Sequence, residues 1–425
     1  MIVYIKSDSV YFPPIYYLLK LIEKNKNIQF TFTGQPENAE LIFDHTNNKS
    51  QPLALSFYNS LQSENSVFFH DNYFPDEQLI KTQTDVVDYM ATIFYMINCL
   101  QEFNPRKKDV DLFGRFRYVS SYQKRFESIE KNLAQGYIDF LIKSWNITDA
   151  KNFKSGFFLS HDIDNIYGSL LQDGFWALKK GKIDAILRII ANEFIRKPHW
   201  RNIDKIIRMD SEYDIKSTFF WLVNKGRGDL NIKNADYSIS KEKELLQIVR
   251  KNGFVNGLHK SCSPMNINDE LTKLSADSYS NRYHFLKFLP HIDWVKINHS
   301  KIKFDSSLGF AERYGFRNSF GMPFQPYNLS ENKPFEFIEA PMNFMDGTFH
   351  KYMKLSCEVV TDRIINFYES NNKNCIFSLC WHNTYFTNYK YKGFIEQYKK
   401  LLTYIHESKI ECYTPDEIIN KFKIS

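Results

Sequence analysis

The chain has 425 residues, with 55 Lys and Arg against 49 Asp and Glu, a surplus of six positive charges. The charges are spread along the sequence and form no basic arm or stripe, so nucleic acid is not indicated as a partner. Aromatic residues make up 16% of the chain and hydrophobic residues 43%, which excludes a disordered or low-complexity protein.

The N-terminal eight residues carry Lys6 and Asp8 where a signal peptide needs an apolar core. No later run approaches the roughly 18 apolar residues of a membrane-spanning helix. The six cysteines form no Cys-x-x-Cys pair, and a long chain needs no disulfides for stability. We therefore expect reduced thiols, no transmembrane segment and a cytoplasmic location.

Residues 1–150 predict a small α/β domain, whose role the sequence does not indicate. The apolar runs predict strands at 2–5, 28–33, 41–44, 53–57 and 66–70, and a helix at 14–23. Two further helices are predicted at 85–100 and 121–145. A domain boundary is expected near residue 150.

Residues 151–425 show strand-like runs separated by helical patterns. The predicted strands are 156–164, 217–223, 254–259, 303–306, 335–340, 375–382 and 410–413. Such alternation predicts a parallel sheet or a (β/α) barrel, whose chemistry lies at the carboxyl ends of the strands. Asp164, His259 and His382 all stand at such ends.

A helical insertion at 165–205 follows the first of these strands. Its central pattern, residues 175–198, places Ile183, Leu187, Ile190 and Phe194 at helical spacing. The segment predicts an amphipathic lid beside the predicted site.

The run Ser160-His161-Asp162-Ile163-Asp164 brings two carboxylates to one strand end. Alternation along a strand puts Asp162 and Asp164 on one face and His161 on the other. A hydrolytic metal site needs oxygen and nitrogen ligands, a position for water and a carboxylate base, which Asp162, Asp164 and His259 can supply. His382 suits the proton donor. Any one of these residues alone is more often a cap or a core group, so the prediction depends on their combination.

The order of these motifs resembles the polysaccharide deacetylases of carbohydrate esterase family 4 over residues 151–425. The matching segments are Asp162-Ile163-Asp164, residues 217–221, Gly257-Leu258-His259, Asn281-Arg282, residues 304–309 and Trp381-His382-Asn383. The resemblance implies a distorted (β/α) barrel as the catalytic domain. Residues 109–116 resemble a segment that recurs in a bacterial branch of this family with an extra N-terminal domain.

The resemblance also implies a role for each site residue. Asp162 is the expected base and Arg282 orients it, while Asp305 is expected to fix the proton donor His382. Asp164 and His259 are the expected metal ligands. The residues expected to contact substrate are Trp381, Asn383 and Tyr385.

One position departs from the family pattern. Ser263 stands where a second metal-binding histidine is usual, four residues after His259, and a hydroxyl is a poor substitute for imidazole. His284 stands where a proline is usual. Two interpretations have equal weight: His284 replaces the missing ligand, or it only packs near the site.

The implied cofactor is a divalent metal ion, zinc first, with nickel or cobalt as alternatives. The implied reaction is hydrolysis of an N-acyl group, most often acetyl, from an amino sugar of a surface polysaccharide or its precursor. Two alternatives stay open: a catalytically inactive glycan-binding or scaffold protein on the same fold, and an O-acetyl esterase.

Overall fold

The computed structural model describes residues 1–63, 66–195, 197–276 and 278–424. Its N-terminal part holds a three-stranded parallel sheet in which β1 (Ile2–Ile5) lies between β2 (Thr31–Phe32) and β3 (Leu41–Phe43). Helix α1 (Phe12–Lys26) follows β1 and ends at Asn27, whose φ of 52° closes the last turn. These strands lie within three of the predicted runs.

The other two N-terminal strand predictions are wrong. Residues 53–57 lead into helix α2 (Leu55–Ser60), because the buried Ala54, Phe57, Tyr58 and Leu61 follow helical spacing. Residues 66–70 pair with no strand in the described structure; the Phe68 carbonyl accepts a hydrogen bond from the Tyr95 hydroxyl instead. Helix α3 (His70–Tyr73) follows.

The two predicted helices before residue 150 are present but shorter. Helix α4 (Tyr89–Ile97) begins after Asp88, whose carboxylate accepts a hydrogen bond from the Ala91 amide at 2.9 Å. The predicted helix at 121–145 is divided into α5 (Tyr122–Arg125) and α6 (Leu133–Ser144).

Residues beyond 150 build an eight-stranded parallel sheet, which confirms the predicted α/β class. In spatial order its strands are β11 (Ile338–Glu339), β8 (Phe304–Asp305), β7 (Ser280–Tyr283), β6 (Val255–Lys260), β5 (Thr218–Trp221), β4 (Gly156–Ile163), β13 (Ile376–Cys380) and β12 (Met342–Met345). The described pairings leave β11 and β12 as edges, so the sheet forms an open barrel. Two short strands, β9 (Tyr327–Asn328) and β10 (Lys333–Pro334), form a separate antiparallel pair.

Helices connect most of these strands. They are α7 (Ser169–Lys179), α8 (Ile183–Phe194), α9 (Ile203–Ser211), α10 (Lys243–Lys251), α11 (Ile267–Leu274), α12 (Pro290–Asn298), α13 (Val360–Ser370), α14 (Phe394–Glu407) and α15 (Pro415–Phe422). The predicted insertion contains a helical hairpin, because the chain turns at Gly181 with a φ of 66°. Residue 196 of this insertion lies outside the described part. The predicted strand at 410–413 is reduced to one bridge between Cys412 and Phe157.

One buried apolar cluster runs through both parts of the chain, from Val3 to Phe422. Glu102 and Arg317 form a buried ion pair across the junction, with oxygen–nitrogen distances of 3.0 and 2.6 Å. The Tyr17 hydroxyl also donates to the Gln325 carbonyl at 2.8 Å. The predicted boundary near residue 150 therefore does not coincide with a division of the core. Within the described residues, no helix combines the length and apolar character needed to cross a membrane.

Candidate active site and metal centre

The carboxyl ends of strands β4, β6, β7 and β13 meet around a cavity of about 260 Å³. Parallel strands deliver their carboxyl ends to one edge of a sheet, which brings together side chains far apart in sequence. The predicted site residues that line this cavity are Asp162, Asp164, His259, His284 and His382.

Asp162 is held as a carboxylate by Arg282. Its Oδ1 accepts a hydrogen bond from Arg282 Nη1 at 2.8 Å, and Arg282 also donates to Ser160 Oγ at 2.7 Å and to the Ser306 carbonyl at 2.9 Å. Burial acts to raise the pKa of Asp162, but Arg282 and then His259 outweigh it, so this pKa is lowered. A buried, oriented carboxylate of this kind can accept a proton.

Three donor atoms beside Asp162 form a group that fits a metal ion. Asp164 Oδ1 lies 3.4 Å from His259 Nε2 and 3.8 Å from His284 Nε2, and one ligand atom from each residue falls within 4.8 Å of the others. Ligand bonds of about 2.1 Å at tetrahedral angles separate donor atoms by about 3.4 Å, so the spacing suits zinc. Asp164 Oδ1 is also buried with no hydrogen-bond partner in the described structure.

The tautomer of His259 also favours metal binding. Its Nδ1 lies 2.9 Å from the Arg282 carbonyl oxygen, which can only accept, so Nδ1 carries a proton and Nε2, which faces Asp164, is the nitrogen available to a metal ion. Burial acts to raise the pKa of Asp164, but the nearby His284 and His259 hold it well below its usual range. The donor set is thus one carboxylate and two imidazoles.

Ser263 does not face this group. Its Oγ lies 2.6 Å from Ser261 Oγ and donates to Glu270 Oε1 at 3.2 Å. His284 instead occupies the neighbourhood of Asp164, because the chain turns sharply at Phe285 with a φ of 65°. The structure brings His284, and not Ser263, to the other candidate ligands.

His382 also lines the cavity. Its Nδ1 lies 2.7 Å from Asp346 Oδ1, and its amide donates to Asp346 Oδ2 at 2.6 Å. Burial acts to lower the pKa of His382, but Asp346 outweighs it and raises the pKa well above its usual value. Its Nε2 lies 3.7 Å from Asp164 Oδ2, so a protonated imidazole faces the cavity.

Asp346, which the sequence analysis missed, holds the place predicted for Asp305. The Asp305 carboxylate accepts from Asn281 Nδ2 at 2.6 Å and from the Ser307 amide at 3.0 Å, and these contacts direct it away from His382. Burial raises the pKa of Asp305 to about 6. The signal for Asp346 was an acid directly after the apolar Phe344 and Met345.

The three predicted substrate contacts lie in the core instead of the cavity wall. The Trp381 ring is fully buried against Tyr398, and Asn383 Nδ2 donates to the carbonyls of Asn165 and Trp200, both at 2.8 Å. Tyr385 stacks on Tyr391 with ring centroids 4.1 Å apart. Asn383 and Tyr385 lie in a 3₁₀ turn that directly follows His382, and all three side chains are buried.

The N-terminal part supplies one wall of the cavity through Arg115. Its Nε donates to Asp111 Oδ2 at 2.7 Å, and its Nη1 donates to the Phe285 carbonyl at 3.0 Å and the Tyr352 hydroxyl at 3.3 Å. Lys233 and Lys351 line the same cavity. Arg115 lies in the segment 109–116, so the family resemblance pointed to this region without assigning it a role.

A second group of potential ligands, Asp162, Cys380 and His382, lies nearby. Burial raises the pKa of the Cys380 thiol to about 12, so the sulfur is protonated and a poor ligand. His382 Nδ1 is engaged by Asp346. The group of Asp164, His259 and His284 is therefore the better candidate metal centre.

No known family model matches this chain, and no curated protein does. Among solved structures, one named "putative polysaccharide deacetylase from Mycobacterium smegmatis" is similar at 10% sequence identity. The match covers 62% of this chain and 94% of that one, with a TM-score of 0.39. A likeness at this level does not establish a family.

Proposed function

We propose that this protein is a metal-dependent hydrolase that removes an N-acyl group, in the first place acetyl, from an amino sugar of a surface polysaccharide or its precursor. One observation carries the proposal. A paired carboxylate (Asp162 with Arg282), a three-donor group (Asp164, His259, His284) and a paired imidazole (His382 with Asp346) all face one cavity.

The chain's own residues account for the proton transfers of amide hydrolysis. Asp162 accepts a proton from the attacking water while the water oxygen bonds to the acyl carbon. His382 donates a proton to the nitrogen as the carbon–nitrogen bond breaks, which releases an amine and a carboxylate.

Arg282 and Asp346 hold these two groups in the required protonation states. Arg282 keeps Asp162 anionic, and Asp346 stabilises the protonated His382. When bound by Asp164, His259 and His284, a divalent ion such as zinc, nickel or cobalt supplies Lewis acidity toward the carbonyl and the water.

Metal content tests the proposal first. Elemental analysis of wild type against Asp164→Ala and His284→Ala, after supply of zinc, is expected to show one ion per chain that both variants lose. Ser263→Ala is the matched control and keeps the ion, because Ser263 bonds to Glu270. The absence of a stoichiometric ion from wild type with zinc, nickel or cobalt would favour the inactive glycan-binding alternative.

Substrate comparison separates the remaining alternatives. Release of acetate from N-acetylated amino sugars, with none from O-acetylated sugars, is the expected result for the metal-loaded protein. The reverse preference would identify an O-acetyl esterase that uses the same base and ligands.

A further inference from the structure

The helical hairpin of α7 and α8 presents a large apolar surface to solvent. Leu171 is 78% exposed and Phe194 is 86% exposed. The full set of exposed large apolar side chains on this hairpin is Leu170, Leu171, Phe175, Leu178, Ile183, Leu187, Ile190, Phe194 and Ile195. Scattered exposed apolar residues are ordinary, but a contiguous patch of this kind marks an interaction surface.

These side chains form one stripe on each helix and do not belong to the core. Leu171, Phe175 and Leu178 follow the i, i+4, i+7 spacing on α7, and residues 183, 187, 190 and 194 continue it on α8. The buried residues of the hairpin, which form its inward face, are Ser169, Asp173, Ala177, Ala185 and Ile189. The outward stripes are therefore available to a partner.

Basic side chains surround the apolar stripes. Lys179, Lys180 and Lys182 are exposed at the turn between the helices, and Lys197 is exposed beyond α8. Arg188 is exposed beside Asp184, with 3.9 Å between the charged atoms, while Asp173 is buried against the Trp200 indole. The exposed charge of this surface is thus predominantly positive.

We propose that this hairpin docks on an anionic lipid bilayer surface. Apolar stripes flanked by lysines are the composition of helices that lie in the membrane interface, where lysines reach the anionic headgroups. Helices of 11 and 12 residues extend only about 18 Å, too short to span the roughly 30 Å hydrocarbon core. A second copy of this chain would present the same positive charge, so charge complementarity favours anionic lipid.

The position of the hairpin gives the docking a direction. Helix α7 begins five residues after Asp164, and its Gln172 lines the same cavity as Asp164 and His382. The proposed docking surface and the cavity therefore share helix α7. The inference does not depend on the reaction proposed above.

Flotation with vesicles tests the docking on the full chain. Wild type is expected to float with phosphatidylcholine vesicles that contain phosphatidylglycerol, more weakly at high salt, and not with pure phosphatidylcholine. The double variant Leu171→Ser, Phe194→Ser should bind at least about tenfold more weakly, because burial of either side chain contributes more than one tenfold step. Leu112→Ser, at a residue 92% exposed elsewhere, is the control and should bind as wild type does.

A second variant and the melting temperatures distinguish weaker membrane binding from a folding defect. Replacement of Lys179, Lys180 and Lys182 by Gln should also weaken binding to anionic vesicles, and all variants should keep the wild-type melting temperature. Wild type that does not float, or an apolar double variant that floats equally, would overturn the proposal. A wild-type dimer that Phe194→Ser converts to monomers, with no flotation, would assign the face to self-association and also overturn it.

Discussion

The carboxylate of Asp346 determines which nitrogen of His382 faces the cavity. Asp346 accepts from Nδ1 of the His382 ring and from the His382 backbone amide, so one carboxylate fixes both the ring and the main chain that carries it. The Nε2 proton is then directed toward Asp164 and the cavity. A histidine that donates a proton needs this fixed orientation as much as it needs a suitable pKa.

Asp346→Asn is therefore expected to lower the rate of acetate release by about 100-fold, since the imidazolium loses its anionic partner. Steady-state kinetics on the metal-loaded protein measure the effect. Asp305→Asn is the matched control, because Asp305 contacts Asn281 and Ser307 instead of His382. A larger loss in the control than in Asp346→Asn would contradict the assigned pairing.

Asp162→Asn separates the base from the ligands. The substitution keeps the shape of the side chain but removes proton acceptance, so the rate should fall by about 100-fold to 10,000-fold while the ion stays bound. Parallel measurement of kcat and metal content checks both parts. Loss of the ion in Asp162→Asn would instead make Asp162 a ligand.

At the scale of elements, the two faces of strand β4 carry residues with different roles. One face gives Asp162 to the cavity, and the other gives His161, whose Nδ1 lies 2.8 Å from the Trp381 carbonyl and whose Nε2 lies 3.2 Å from Asp210 Oδ2. His161 thus ties β4 to the segment that carries His382. The strand sets the distance between the proposed base and the proposed acid.

Gly257→Ala should disturb strand β6, in which Gly257 lies between strands β5 and β7. A Cβ at this position would lie 2.4 Å from Ser280 Oγ and 2.7 Å from the Phe220 ring, so the sheet must shift near His259. We expect a loss of about 1–3 kcal/mol in unfolding free energy, together with weaker metal binding. Denaturant unfolding and metal titration measure these effects.

Gly136→Ala is the control for this substitution. Gly136 lies in helix α6, and a Cβ added there would meet no other atom within 4 Å, so alanine should stabilise the protein by up to about 1 kcal/mol. Equal stability of the two variants would contradict the close packing around Gly257.

Side chains at the ends of regular, apolar strands were predictable from the sequence. Alternation along β4 assigned Asp162 and His161 to opposite faces, and the structure confirms this. Strand β12 was not recognised, because Asn343 interrupts its apolar pattern. The Asn343 side chain takes part in the sheet itself, where Oδ1 accepts from the Ser378 amide at 3.0 Å. Asp346 follows that strand and was missed with it.

The region after His382 illustrates a different limit. Trp381, Asn383 and Tyr385 were expected to contact substrate, but Trp381 packs on the distant Tyr398 ring. Asn383 and Tyr385 lie in a 3₁₀ turn, where Asn383 donates to the distant Trp200 carbonyl. Arg115 was equally hidden, because its place in the cavity wall depends on contacts with Phe285 and Tyr352, more than 160 residues away. Local pattern carries no information on such long-range packing.

At the scale of the whole molecule, the ion pair of Glu102 and Arg317 joins the N-terminal part to the barrel. Removal of one partner leaves the other charge buried and unpaired. Glu102→Ala is expected to lower the unfolding free energy by about 3–5 kcal/mol. Thermal and denaturant unfolding should each show a single transition, because the buried core is continuous.

The exposed ion pair of Asp362 and Lys400 serves as the control for Glu102→Ala. Both side chains are at least half exposed, so Asp362→Ala should change stability by less than about 1 kcal/mol. Two separate transitions in wild type would show that the N-terminal part and the barrel unfold independently.

His291 should make the stability of the junction depend on pH. Its ring lies against Phe103 of the N-terminal part and Trp294 of the barrel, and burial lowers its pKa to about 4. The pKa of His291 in the folded protein lies below its unfolded value of about 6.5. The contribution of His291 to the unfolding free energy is therefore complete above pH 6.5 and is lost as the pH falls toward 4.

Protonation of His291 in the unfolded chain should lower the unfolding free energy by roughly 2 kcal/mol at pH 5. His291→Phe removes this dependence, so its stability relative to wild type should rise between pH 7 and pH 5. Denaturant midpoints at the two pH values measure the change. Parallel curves for the two proteins would show that His291 does not titrate on unfolding.

The separation of Glu102 from Arg317 by 215 residues also has a consequence during translation. At about 5–20 residues per second, the ribosome releases Arg317 roughly 10–40 s after Glu102. Until then Glu102 has no ion-pair partner, and the apolar surface of the N-terminal part that packs against the barrel stays exposed. We therefore expect the N-terminal part of the nascent chain to reach its final packing only after the barrel segment that carries Arg317 has been synthesised.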